Sequence, residues 1–187
     1  MKKAFLILLT VCLLFSAAGC TIPMDSIIVT DPTQTDPKPV ETVFTMDNYH
    51  LQITADSTFE DKTAGSYDLQ ITNGHTYVSI MAYKYIDLPT DVTPLDVLDM
   101  QNKDLLSKRT NVTTVEETST KTLSQGTVTQ ALFSAEKDGN KNYYASYLID
   151  MPEAQTFAWV LVSAMPSYLV ENREYLDSIV CSLMPIN

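Results

Sequence analysis

The chain has 187 residues, 45% of them hydrophobic, enough for one packed domain once a leader is removed. Twelve basic residues stand against 23 acidic ones, a formal charge of −11, so the sequence lacks the basic surface that nucleic acid requires and repels anionic lipid. Three cysteines and two histidines, His50 and His75, are too few for a multi-cysteine or Cys-His zinc centre, and neither a metal nor a cofactor is expected.

Residues 1–19 read as a signal peptide. Lys2 and Lys3 precede an apolar run over residues 4–15, and Ser16, Ala17, Ala18 and Gly19 lead to Cys20. The run falls short of the roughly 20 residues a spanning helix needs, which disfavours an uncleaved anchor. The Ala17-Ala18-Gly19-Cys20 ending resembles a bacterial lipobox. That resemblance implies cleavage before Cys20, lipid attachment at Cys20, and a place on the extracytoplasmic side of the cell membrane. Ordinary cleavage, leaving a free secreted protein, is the competing outcome.

Residues 20–42 come next as the lipidated cysteine and a tether. Pro23, Pro32, Pro37 and Pro39 sit among Thr, Asp and Gln, a composition that favours extended chain. At ~3.1 Å per residue such a spacer reaches up to ~60 Å.

The globular domain is expected over residues 43–187. Residues 43–46 and 49–54 read as two short strands, and 55–66 as a polar loop. A strand over 68–72, the Asn73-Gly74 turn signal and a return strand over 75–86 form a hairpin. In the return strand Val78, Ile80 and Ala82 share one face, with Tyr77, Met81 and Tyr83 on the other. Thr93 and Pro94 then open a helix as N-cap and first helical residue. Asp96 and Asp99 suit its positive end, and Lys103, Lys108 and Arg109 its negative one. Leu95, Leu98, Leu105 and Leu106 supply an imperfect apolar stripe.

Residues 112–122 are threonine-rich and alternate weakly, and 127–136 form a clearer strand. Asp138-Gly139-Asn140 marks a hairpin whose second strand runs over 142–151. After a turn at 152–155, residues 156–163 (TFAWVLVS) are apolar on both faces, as in a central covered strand. A terminal helix over 167–183 carries Leu169, Leu176, Ile179, Val180 and Leu183 on one face. The fold class is therefore α+β: an antiparallel sheet of six to eight strands with one inserted and one C-terminal helix.

This order of elements, with Leu176, Ser178 and Ile179 in the last helix and Asp138, Gly139 and Tyr143 in the hairpin, resembles the PsbP-like fold shared with DcrB-like bacterial lipoproteins. The resemblance covers residues 43–184 and implies an α/β/α sandwich with an accessory or binding role and no catalysis. The proline and tryptophan such domains often show after the second strand are missing; residues 55–61 stand there, with Phe59 as the one aromatic.

No nucleophile elbow, phosphate-binding loop, zinc-peptidase helix or EF-hand loop occurs. A serine hydrolase would need His50 or His75 as base, and both read as structural or surface residues. Asp87, Asp91, Asp96 and Asp99 gather near the first helix, where its dipole explains them better than calcium does. Cys181 reads as a small buried hydrophobe. The aromatic residues Tyr77, Tyr83, Tyr85, Tyr143, Tyr144, Tyr147 and Trp159 either line a groove for a ligand or pack under the helices. The expected function is a non-catalytic binding or accessory module for an envelope protein or small ligand, membrane-attached through Cys20. An envelope hydrolase and a structural subunit of a transport or envelope complex are the alternatives.

Overall fold

The computed structural model describes residues 40–186; the signal peptide, Cys20 and nearly all of the tether lie outside the described residues. The chain begins with a hairpin of β1 (Glu41–Met46) and β2 (Leu51–Asp56), paired antiparallel from Glu41 opposite Asp56 to Met46 opposite Leu51. Leu51, Ile53 and Ala55 are buried while the residues between them are half-exposed, the period-two pattern of a strand with one covered face. The other edge of β2 takes a two-residue strand, β10 (Met184–Pro185), completing a three-stranded sheet.

The remaining strands form a seven-stranded antiparallel sheet. They are β3 (Glu60–Asp61), β4 (Leu69–Thr72), β5 (Thr76–Lys84), β6 (Thr110–Leu123), β7 (Gly126–Lys137), β8 (Asn140–Met151) and β9 (Thr156–Ala164). Their spatial order is β3-β4-β5-β9-β8-β7-β6. The sheet count of six to eight therefore holds for the main sheet, and the first two predicted strands belong to a separate one. The predicted polar loop at 55–66 contains β3 and the buried ring of Phe59.

Strand β9 occupies the centre, as its two apolar faces require. Phe157, Trp159 and Leu161 pack with Val97, Leu98 and Leu105 of α1 (Pro94–Ser107). Ala158, Val160 and Val162 point the other way, into a larger core. That core also takes Leu51 and Ile53 of the small sheet, Leu169 of α2 (Pro166–Glu171), and Leu176, Ile179 and Val180 of α3 (Arg173–Cys181). The result is three layers: α1, the main sheet, and the C-terminal helices with the small sheet. Each fully buried aliphatic side chain contributes ~1.5–3 kcal/mol relative to exposure.

The local signals are met with three adjustments. Thr93 caps α1 in a full capping box with Asp96, and Pro94 opens it. Leu95, however, is exposed, and Val97 takes its place in the core. Asp138 and Gly139 form a two-residue hairpin loop with φ of 53° and 78°, the primed turn their sequence favours. Asn73-Gly74 instead opens a wider loop: Asn73 Oδ1 accepts from the backbone of His75 and Thr76, and Thr72 pairs with Tyr77. The single predicted terminal helix is broken at Asn172. Its Nδ2 donates to the carbonyl of Tyr168 (2.9 Å), competing with the backbone for that acceptor, and α3 restarts from its own carbonyl.

Candidate functional site

The pleat of the main sheet decides where the aromatic residues go. Met81 lies opposite Trp159, and Trp159 opposite Leu148, so Tyr77, Tyr83, Tyr144 and Trp159 share the face under α1. Tyr143 and Tyr147 alternate onto the opposite face and pack in the larger core. Tyr85 leaves the strand in a short 3-10 turn (Tyr85–Asp87), edge-on to Phe157 at 5.5 Å. Tyr77, Tyr83, Tyr85, Tyr143, Tyr147 and Trp159 thus do not surround one groove: two of them sit on the far side of the sheet.

Most of these polar tips are already engaged. Trp159 Nε1 donates to Ser146 Oγ (2.8 Å), which donates to Asn102 Oδ1 of α1 (2.5 Å). The Tyr83 ring stacks on Phe157 at 5.0 Å, and its hydroxyl accepts from Gln101 (2.9 Å). Burial, with smaller contributions from Asp68 and Tyr49, pushes the Tyr83 phenol up. The Tyr85 hydroxyl donates to Asp150, and burial followed by that bond pushes its phenol well up. Tyr147 donates to Asp177 and is pushed up first by burial and then by the Asp177 charge. Tyr77, 46% exposed, is the one member of the set presented to solvent.

An open cleft lies elsewhere, where the two sheets meet end to end. It encloses about 480 Å³ and is lined from four separated segments: Tyr49 and His50, Lys84 and Ile86, Ala154 to Thr156, and Pro185 with Ile186. Two of the four non-glycine residues with positive φ among the described residues line it, His50 at 52° and Gln155 at 54°. Left-handed backbone is uncommon for such residues and concentrates at ligand clamps and active sites. Both are pinned through their carbonyls: His50 accepts from the Ile186 backbone (2.8 Å), and Gln155 from Tyr85 (3.1 Å).

The chemistry of this seam cleft is mixed. Ile86 is 88% exposed and Ile186 37%, an apolar lip with no covering partner among the described residues. Lys84 Nζ stands 5.8 Å above the Tyr49 ring, placing a cation at the wall. Thr156 also lines the cleft, and its buried hydroxyl has no hydrogen-bond partner. No carboxylate, serine or cysteine is among the lining residues. His75 sits in the turn at the other end of β5, its ring stacked on Tyr168 at 5.3 Å. At ~3.3 Å per residue, the length of β5 separates the two histidines by about 25 Å. The arrangement suits recognition of a partly apolar ligand rather than a general acid–base pair.

Around α1, Asp96 is committed to the Thr93 cap, and Asp87 and Asp91 are exposed. The described residues contain no group of three His, Cys, Asp or Glu side chains placed to hold a metal ion. Reading the sequence missed Lys84, Ile86, Gln155 and Ile186. The only signal was Ile86, an isoleucine at the very end of the predicted return strand over 75–86; left-handed φ at Gln155 has no composition cue.

No family model and no curated protein matches the chain. Solved structures do. The cyanobacterial PsbP of Synechocystis superposes with a TM-score of 0.58 at 6% identity, covering 81% of this chain and 95% of that one. The Ran-binding protein Mog1p of Saccharomyces cerevisiae gives 0.53 at 10%, covering 80% and 97%. LpqN of Mycobacterium tuberculosis, involved in cell envelope biogenesis, gives 0.53 at 14%, covering 80% and 86%. At these identities the likeness is one of fold, and the fold of this chain is that of PsbP and Mog1.

Proposed function

We propose that this chain is a non-catalytic binding or accessory module of the cell envelope, lipid-anchored at Cys20, which presents its seam cleft to an envelope protein or small ligand. The observation that carries the reading is the convergence of four chain segments on a cleft with a bare apolar lip, a cation and two strained residues. The neighbours support it: one is a protein of envelope biogenesis and another is a Ran-binding protein. The anchor is compatible with the cleft. Chain arriving through Val40 joins the small sheet at Glu41, opposite Asp56, at the end of β1 remote from His50.

Two measurements test this reading. Mass spectrometry of the membrane-extracted protein is expected to show an N-terminus at Cys20 carrying acyl mass; an unmodified start at Gly19 or Thr21 overturns the anchor. Photo-crosslinkers at position 86, in the cleft, and position 95, exposed on α1, test the binding surface in the native membrane. Adducts specific to position 86 support it, and equal labelling at both positions removes the cleft from the proposal.

A further inference from the structure

The α1 face of the main sheet holds a second, smaller cleft of about 250 Å³, between the C-terminal half of α1 and strands β5 and β9. It shares no lining residue with the seam cleft. Tyr67, Met81, Leu105 and Trp159 form its apolar wall. Its charges run against those of the molecule. In a chain of net charge −11, this cleft collects Lys108, Arg109 and Lys137 against a single acid, Asp104. Asp104 is bound to Lys108 at 2.6 Å, which leaves Arg109 and Lys137 without a carboxylate among the described residues.

Arg109 is held rigidly and left incomplete. Its guanidinium lies 4.6 Å over the Tyr144 ring, and Nη1 donates to the Leu105 carbonyl at 2.6 Å. A basic side chain capping the last turn of a helix accounts for that bond. It does not account for the rest of the group. Nε is buried and has no hydrogen-bond partner, and Nη2 makes no hydrogen bond among the described residues. A buried donor left unmatched is costly, most of all on a charged group. Helix capping also does not explain Lys137, which reaches the cleft from the end of β7, a different element.

We propose that this cleft binds a small organic carboxylate, its anionic group taken by Arg109 and Lys137 and its apolar body seated on Tyr67, Met81 and Trp159. The charge excess selects an anion. The fixed planar donor set of arginine favours a carboxylate. The volume, below the usual range for drug-sized ligands, limits the guest to a compact body. The net charge of −11 on the chain disfavours polyanions.

The test uses the full chain in detergent and tracks NMR resonances. Trp159 is the only tryptophan and so gives one indole N–H signal. The two arginines give two Nε–H signals, Arg109 in the cleft and Arg173 engaged with Asp177 as an internal reference. Cyclohexanecarboxylate is the probe, with cyclohexylmethanol as the uncharged control and ionic strength held with sodium chloride. The expected result is a saturable shift of the Trp159 and Arg109 signals with the acid, and none with the alcohol or at Arg173. Arg109→Gln is expected to weaken binding about tenfold, the value of a charge-assisted hydrogen bond. Lys137→Gln, at an exposed strand end, is expected to weaken it severalfold with the fold intact. No saturable shift, equal response to acid and alcohol, or unchanged affinity in Lys137→Gln overturns the proposal, whether or not Arg109→Gln folds.

Discussion

The Tyr147 hydroxyl donates to Asp177 Oδ1 at 2.5 Å, and this bond ties the middle of the main sheet to the C-terminal helix. Tyr147 is 1% exposed, so its hydroxyl depends on that one partner. Asp177 also accepts from Arg173 Nε at 2.9 Å, and the same guanidinium reaches Glu116 through both terminal nitrogens at 3.2 Å. A single relay thus joins β8, α3 and the edge strand β6.

The two ends of the first bond are expected to behave unequally. Tyr147→Phe removes a donor from a carboxylate that keeps Arg173, and should cost about 1–2 kcal/mol. Asp177→Ala leaves the phenol unmatched in the core and releases Arg173, and should cost about 2–3 kcal/mol. Urea unfolding of both variants checks the order, and a costlier Tyr147→Phe would contradict it.

Stability should fall at both extremes of pH, for opposite reasons. Tyr85, Tyr147 and Tyr175 are all pushed up, chiefly by burial and then by Asp150, Asp177 and Asp56 respectively. The folded chain holds these protons more tightly than the unfolded one, whose phenols titrate near pH ~10. Their stabilisation is therefore full below about pH 10 and is lost as the pH rises further. On the acid side, burial pushes Asp56 up, but hydrogen bonds from Thr58 and Tyr175 outweigh it and hold the carboxyl below its ordinary range. That contribution is present above about pH 4 and is lost as the pH falls through the lowered value. Melting temperatures across the range, with phenolate absorbance recorded alongside, check both limbs. Ionisation of all ten tyrosines near pH ~10 without unfolding would refute the alkaline one.

Two glycines separate close approach from turn geometry. A Cβ on Gly126 falls 1.8 Å from the Asp150 carbonyl oxygen, so Gly126→Ala forces β7 and β8 apart and should cost more than about 3 kcal/mol. A Cβ on Gly139 meets nothing within 4 Å. Gly139→Ala therefore carries only the left-handed strain of φ 78°, about 1 kcal/mol. Parallel thermal melts distinguish the two.

The helix cap predicts a third scale. Thr93→Ala removes a hydroxyl that accepts from the Asp96 backbone, and should cost about 1 kcal/mol. Thr93→Ser keeps the acceptor and should cost far less. Equal losses in a melting comparison would mean that the capping box contributes nothing.

Several features were legible in the residues because their causes are local. Alternation split Val78, Ile80 and Ala82 from Tyr77, Met81 and Tyr83: the first three enter the larger core, Met81 and Tyr83 pack on the smaller one, and Tyr77, on that same face, is exposed. Doubly apolar β9 announced its central place, Asp138-Gly139 its turn, and Thr93-Pro94 its helix start. The break at Asn172 was less legible, since asparagine is tolerated within helices and only its bond to the Tyr168 carbonyl exposes the competition. Strand β10 had no signature: two residues acquire strand geometry only because β2 offers an edge. The tyrosines show the same limit. One residue of offset sends Tyr143 and Tyr144 to opposite faces, so a cluster in sequence is not a cluster in space.

Sequence alone therefore determined the long strands, the start of α1, their order, the Asp138-Gly139 turn and the two-sided burial of the sheet, because propensity, capping and hydrophobic period act over a few residues. Only the tertiary structure decided where the clefts lie. The seam cleft needs residues from position 49 to position 186, and the smaller one joins Arg109, just past the end of α1, to Lys137 of β7. Such sites arise where sheet ends and helix ends meet, and that meeting results from the packing of the two cores rather than from any local pattern.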